Sequence, residues 1–338
     1  MNTRFSNWTT KKKVIVSILI LFLILIGTGV GYSAYIYSMT EEMVIESHES
    51  IKRPENSSPY RTEDINPVED NVSVLFIGVD DSEHRNNQNS RSDALILATF
   101  NIKESSVKLL SIPRDSYVYI PEVDYSSKIN HAHAYGGPLA TIETIEHLLE
   151  IPVDYYVRLD FNAFIEVVDT LDGIEFDVPY EMVELDSDDN EESIHLYPGK
   201  QHVNGEEALA LARTRKYDSD IERGQRQQEL LNAIINKAIS TKTFFRIDEL
   251  VTAIGTNMKT NMTFEELKSF FLFGIGRDIS MKTVNLNGSG GYLDDGGWYF
   301  VINEDSKSLV QEELQKHLGL DSPNHNYTNN ESDTNKLN

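Results

Sequence analysis

The chain contains no cysteine. That excludes a disulfide framework, a thiolate metal site and a cysteine nucleophile. It leaves the compartment open, and is compatible with a bacterial exterior. Positive charge is scarce: 30 Lys and Arg stand against 54 Asp and Glu, a formal net charge of -24. Such a surface repels phosphate backbones, which argues against nucleic acid as the main partner. No Gly-Lys-Ser/Thr ending closes the glycine-rich stretch Asn287 to Gly297, so it is not a Walker loop. What is present, 40% hydrophobic and 25% charged residues in a chain of 338, suits one large folded domain or two small ones.

Against this acidic background, one basic stretch stands out. Ala212 to Gln228 holds Arg213, Arg215, Lys216, Arg223 and Arg226. Clustered guanidinium groups repel one another unless an anion sits among them. Their planar forks suit bidentate contact with phosphate oxygens. From Glu222 the pattern is helical, with Leu230, Leu231, Ile234 and Ile235 on an apolar face. Arg223 and Gln227 then stack at i, i+4 with Arg226 beside them. If the preceding residues are extended, Arg213 and Arg215 share a face. The spacing thus suggests a polyanion site; the competing reading is a solvated face paired with Asp218, Asp220 and Glu222.

In chain order, residues 1–13 are polar and end in three lysines. Val14 to Tyr37 is uncharged and long enough to span a bilayer, with Tyr32, Tyr35 and Tyr37 at its far end. The lysines place residues 1–13 in the cytoplasm and the bulk of the chain outside the cell membrane. A cleaved signal peptide is the alternative, but the apolar stretch is long for one. Residues 38–70 read as a polar, proline-bearing stalk. A domain over 71–320 follows, and 321–338 reads as a disordered polar tail. Strands are expected at Ser73 to Val79, Ala94 to Phe100, Val107 to Ile112, Tyr155 to Leu159, Ile174 to Val178, Met281 to Leu286 and Trp298 to Ile302. Helices are expected at Pro138 to Glu150, Asn162 to Leu171, Gly205 to Leu211, Phe244 to Ile254 and Thr263 to Phe273. The last opens on the capping box Thr263 to Glu266. This alternation predicts an α-β-α sandwich, a central mixed sheet flanked by helices, preceded by one transmembrane helix. Asp186 to Glu192 is acidic but lacks the spacing of a calcium loop, and reads as a solvated insert.

Strand ends carry the remaining chemistry. Asp80 and Asp81 follow one strand, Arg91 and Asp93 precede the next, and Arg114 follows a third. Loops at the ends of an α/β sheet converge on one crevice. Two acids and several arginines there make a magnesium–phosphate arrangement. Singly, an Asp-Asp after a strand is as readily a turn, and Arg-Ser-Asp a surface ion pair.

The ordered set is more specific. Gly78-Val79-Asp80, Arg91-Ser92-Asp93, Ser111 to Asp115, Lys128 to Gly137, Asn204 to Arg215 and Arg223 to Gln228 together resemble the LytR-CpsA-Psr family. The resemblance covers roughly Ser73 to Ile302. It implies a transferase moving an anionic glycopolymer, such as wall teichoic acid or capsule, from a polyprenyl pyrophosphate carrier to a peptidoglycan acceptor. The carrier's tail would lie in an apolar tunnel between sheet and helices. By motif, Asp80 and Asp93 would hold Mg²⁺ or Mn²⁺, with Asp81 as the alternative to Asp80. Arg91, Arg114, Arg215 and Arg223 would act on the pyrophosphate, together with Gln227; Lys128, Arg213 and Arg226 are further candidates. The family gives His131 and His133 no metal role, and both read as packing or rim residues. A lipid pyrophosphate hydrolase and a membrane-bound regulator are the alternatives that the same residues permit.

Overall fold

Period-two apolar runs set the strands, and turn residues separate them. In chain order these are β1 (Val72–Val79), β2 (Ser92–Asn101), β3 (Ser106–Ser111), β4 (Tyr117–Ile120), β5 (Tyr125–Lys128), β6 (Tyr155–Leu159) and β7 (Ile174–Val178). Then come β8 (Met182–Glu184), β9 (Ile194–Leu196), β10 (Gly199–Val203), β11 (Met258–Thr260), β12 (Ser280–Asn285), β13 (Gly288–Tyr292) and β14 (Trp298–Ile302). The helices are α1 (Asn130–Leu149), α2 (Phe161–Thr170), α3 (Gly205–Arg213), α4 (Asp220–Ala238), α5 (Phe264–Gly274) and α6 (Glu304–Leu318). The computed structural model describes residues 48–51, 58–61, 65–67, 69–80, 90–216, 220–239, 258–274 and 277–320. The expected membrane span, the N-terminus before it, the helix at Phe244 to Ile254, Asp81 and the polar tail lie outside the described residues. Among the described residues, no helix is long and apolar enough to cross a membrane.

Six strands form one mixed sheet in the order β11-β6-β1-β2-β3-β12. β1 pairs antiparallel with β2 and parallel with β6. β3 pairs antiparallel with β2 and parallel with β12. Leu75, Ile77, Leu95, Leu97 and Leu110 point to one face, where they pack with Ile142, Ile145 and Leu149 of α1 and Val310 and Leu314 of α6. The opposite face buries Ile96, Ala98, Val107 and Leu109 against Leu231 of α4, and Val72, Val74, Tyr155 and Val157 against Leu267 and Phe270 of α5. Each fully buried Val, Leu or Ile side chain among these is worth about 1.5–3 kcal/mol. A separate cluster joins α2, α3 and α4 to the antiparallel β7–β10 pair through Val168, Phe176, Leu211 and Leu230. The expected sandwich with a central mixed sheet is therefore the observed one.

Several boundaries differ. α1 starts at Asn130, not Pro138, and non-helical backbone at Gly136 and Gly137 kinks it. The two glycines tolerate the break, and Pro138 opens the second half as proline opens helices generally. The glycine-rich stretch after Asn287 is not a plain loop: Gly288 to Tyr292 pair with β14. A Cβ at Gly290 would lie 2.3 Å from the Trp298 ring, so glycine lets the two strands close. α6 was not evident in the sequence; Asn303 caps its start by accepting from the Ser306 amide, and Gly319 at φ 72 ends it. Part of the expected stalk is docked on the domain. His48 bridges to Thr260, and Arg61 holds Asp154 at 2.7 Å.

Candidate active site

From the pairings, β1, β3, β6 and β12 run in one direction, so their C-terminal ends and the start of β2 share one edge. Asp80 directly follows β1, Arg91 precedes β2, and Arg114 follows β3. The register gives Asp93 a special place. Gly78 pairs with Ala94 and Val79 with Ser92, which leaves Asp93 as the extra residue of a β-bulge. A bulge re-aims a side chain that plain alternation would send elsewhere.

Asp93 is the hub. Its Oδ1 accepts from Arg114 Nη1 at 2.5 Å and lies 3.8 Å from Arg215 Nη2. Arg114 Nε sits 3.7 Å from Asp115, and Asp115 in turn holds Lys128 Nζ at 2.9 Å. The sequence motif contained Asp115, yet no role could be read for it. Its burial between two cations explains why an acid follows Arg114. Arg91 is exposed, and it lies close enough to His131 for its charge to matter. Burial foremost, then the Arg91 and Lys128 charges, hold the His131 imidazole below its ordinary pKa. His131 bonds Ser127 Oγ at 2.8 Å, and His133 is buried against the Ser90 carbonyl at 2.7 Å. Both histidines thus occupy rim or packing positions.

Arg223 lies near the start of α4. Gly224 allows that helix to reach the end of β3: a Cβ there would stand 2.6 Å from Ser111 Oγ. The contact sets the helix N-terminus, with its partial positive charge, beside the strand ends. Gln228 fixes the approach by donating to the Leu109 and Val284 carbonyls at 2.9 and 3.2 Å.

The basic stretch does not act as one surface. Arg213 and Arg215 diverge, because Arg213 ends α3 rather than lying on extended chain. Arg213 stacks 4.7 Å over Phe161 and reaches Asp189 of the acidic loop at 3.6 Å. That loop is therefore engaged with a cation, not merely solvated. Arg226 is buried and donates to the Leu211 and Thr214 carbonyls at 2.6 and 3.0 Å and to Tyr180 at 3.1 Å. Gln227 likewise donates to the Ala212 carbonyl at 3.0 Å. These two side chains brace the segment that presents Arg215. The i, i+4 pattern gave their helix face but could not tell a ligand contact from a brace.

Four buried polar atoms near these strand ends have no hydrogen-bond partner among the described residues: Ser92 Oγ, Arg114 Nε, Asn130 Oδ1 and His133 Nε2. Buried polar groups are normally satisfied, so the cluster fits a site that takes up water or a polar ligand. Asp80 and Asp93 supply hard oxygen donors at the same edge. Among the described residues, no group of three or more His, Cys, Asp or Glu gathers. Two carboxylates still suit Mg²⁺, which keeps several waters and phosphate oxygens of its own. Beside this edge the sheet's second face is less deeply covered. Phe76, Gly78, Ala94 and Leu159 are only half-buried, whereas residues deeper along the same strands are fully covered.

The structure thus brings Arg114 and Arg215 together on Asp93 at the strand ends, while Arg213, Arg226 and Gln227 are engaged elsewhere. The LytR_cpsA_psr family profile matches residues 34–316. The chain belongs to the LytR-CpsA-Psr family. Among the family's members in Bacillus subtilis, the polyisoprenyl-teichoic acid–peptidoglycan teichoic acid transferase TagT is 40% identical over 309 residues, covering 90% of this chain and 94% of that protein. TagV of the same organism, with the same transferase name, is 34% identical, covering 91% of this chain and 80% of that one. The fold is similar to a solved structure of TagT bound to LI-WTA, with TM-score 0.70, 39% identity, and coverage of 81% of this chain and 100% of that one. A second TagT structure, with bound octaprenyl pyrophosphate lipid, gives TM-score 0.66 and 37% identity over 81% of this chain and 100% of that one.

Proposed function

We propose that this LytR-CpsA-Psr protein moves an anionic glycopolymer, of the wall teichoic acid type, from a polyprenyl pyrophosphate carrier to peptidoglycan. The observation that carries the reading is the cluster of Arg114 and Arg215 on Asp93, beside half-buried apolar residues of the sheet. The carrier's tail lies against Phe76, Gly78, Ala94 and Leu159. Its pyrophosphate sits among Arg91, Arg114, Arg215 and Arg223. Arg226 and Gln227 hold the segment bearing Arg215 in place. Asp80 and Asp93 would hold Mg²⁺ or Mn²⁺, which when bound neutralises charge on phosphoryl oxygens.

A glycan hydroxyl attacks the phosphorus that carries the sugar. The new P–O bond forms as the bond to the lipid phosphate breaks. The lipid phosphate leaves with the electron pair, and the hydroxyl proton passes to solvent. Guanidinium groups stabilise the charge that develops on the leaving oxygens. The segment Val14 to Tyr37 anchors the chain in the cell membrane, with the domain outside. The test is transfer by Arg114→Ala and Arg215→Ala variants, each expected to lose about 10²-fold or more in rate with the fold intact. A wild-type rate in either variant overturns the assignment. A covalent polymer–glycan product on adding acceptor distinguishes transfer from simple hydrolysis of the carrier pyrophosphate.

A further inference from the structure

We propose that an aromatic face built by the outward side of the β4–β5 hairpin and by the β13–β14 hairpin binds the acceptor glycan strand. The proposal rests on the transferase reading and says where its second substrate lies. Strand β4 alternates, with Val118 and Ile120 buried and Tyr117 and Tyr119 turned outward. Tyr117 is 41% exposed and Tyr119 37%. A soluble surface that keeps several large rings in one neighbourhood marks a binding site more often than chance packing.

The rings are ordered by one another. Tyr117 meets Tyr299 edge-on at 5.1 Å, whereas Tyr125, directly opposite buried Ile120, lies on the other side of the β4–β5 ladder and donates to the Tyr135 hydroxyl there. The Tyr299 hydroxyl in turn donates to Asp295 Oδ2 at 2.6 Å. The face is continuous with the reaction site. Lys128 Nζ lies 5.6 Å over the Tyr299 ring and 2.9 Å from Asp115, which adjoins Arg114.

Rings with a polar tip suit sugars. A pyranose offers an apolar C–H face for stacking and a rim of hydroxyls for hydrogen bonds. Acceptors for that rim are present: Asp124 takes the Tyr119 hydroxyl at 2.5 Å, and Asp295 takes that of Tyr299 at 2.6 Å. The same carboxylates disfavour the anionic polymer that is being transferred. The occupant we assign is the glycan that receives the polymer; Lys128, the cation on this face, is already held by Asp115.

The test uses the full chain in phospholipid vesicles with lipid-linked polymer as donor and soluble uncross-linked glycan strands as acceptor. Tyr117→Ala/Tyr299→Ala should raise the acceptor KM about tenfold, while kcat and the donor KM stay within about twofold. Tyr117→Phe/Tyr299→Phe keeps the rings and should stay near the wild-type acceptor KM. An unchanged acceptor KM in the alanine pair, or a rise confined to the donor KM, overturns the proposal. If the wild-type chain forms no polymer–glycan product at all, the transferase reading itself has failed, which is a separate outcome.

Discussion

His317 gives the sharpest test of how the fold is locked. Its ring bridges two hydroxyls of the central sheet, Thr99 Oγ1 at 2.8 Å and Ser106 Oγ at 2.9 Å. Its carbonyl accepts from Asn101 Nδ2 at 2.8 Å. The last turn of α6 is thereby tied to β2 and β3. Burial pushes the His317 pKa down to about 4 from 6.5, with Lys108 and Lys282 lowering it and Glu104 and Glu313 opposing them. A depressed histidine favours its neutral form when folded, so the unfolded chain binds the extra proton. The contribution is complete above pH 6.5 and is lost as pH falls toward 4. At about 1.36 kcal/mol per pH unit, the gap amounts to about 3 kcal/mol. Chemical unfolding of wild type and His317→Gln, followed by circular dichroism at pH 7 and pH 4.5, isolates it, because other groups titrate in both. Wild type should lose about 2–3 kcal/mol more than the variant between the two pH values. Equal losses would refute the reasoning.

Other outcomes follow from the site. Arg226→Met leaves the buried Leu211 and Thr214 carbonyls without their donor, and should cost about 3 kcal/mol in unfolding free energy. It should also weaken transfer by letting Arg215 drift, measurable as a rise in donor KM. Gly224→Ala forces a Cβ to 2.6 Å from Ser111 Oγ and should destabilise by about 1–3 kcal/mol; a rise in melting temperature would contradict the close approach of α4 to β3. Gly173→Ala puts a Cβ 2.5 Å from His202 at a backbone φ of +67. It should loosen the β7–β10 pair, seen as faster amide exchange there.

Much of the central sheet was legible because its strands are period-two apolar runs bounded by turn residues. The Thr263 capping box was legible for a similar reason, and the Thr263 amide does donate to Glu266 at 2.7 Å while the Glu266 amide reaches Thr263 Oγ1. α6 escaped because only Val310, Leu314 and Leu318, with Ser306 and His317, bury its inner side, so its periodicity is diluted by charge. The start of α1 escaped because Gly136, Gly137 and Pro138 look like a boundary, yet the chain crosses them with a kink. Within the site, the motifs named the arginines and acids, but local pattern could not separate Arg215, which faces Asp93, from Arg226, which faces backbone carbonyls.

Residue order alone determined that this acidic chain carries its arginines and acids in six spaced motifs, and that alternating strands and helices would set several of them at strand ends. Residue chemistry and period are local properties, so they survive without coordinates. Only the tertiary structure decided which charges meet. The bulge at Asp93, the close pass of Gly224 over Ser111, and the inward turn of Arg226 depend on register and helix placement. Those are fixed by packing between segments far apart in the chain, which no local pattern records.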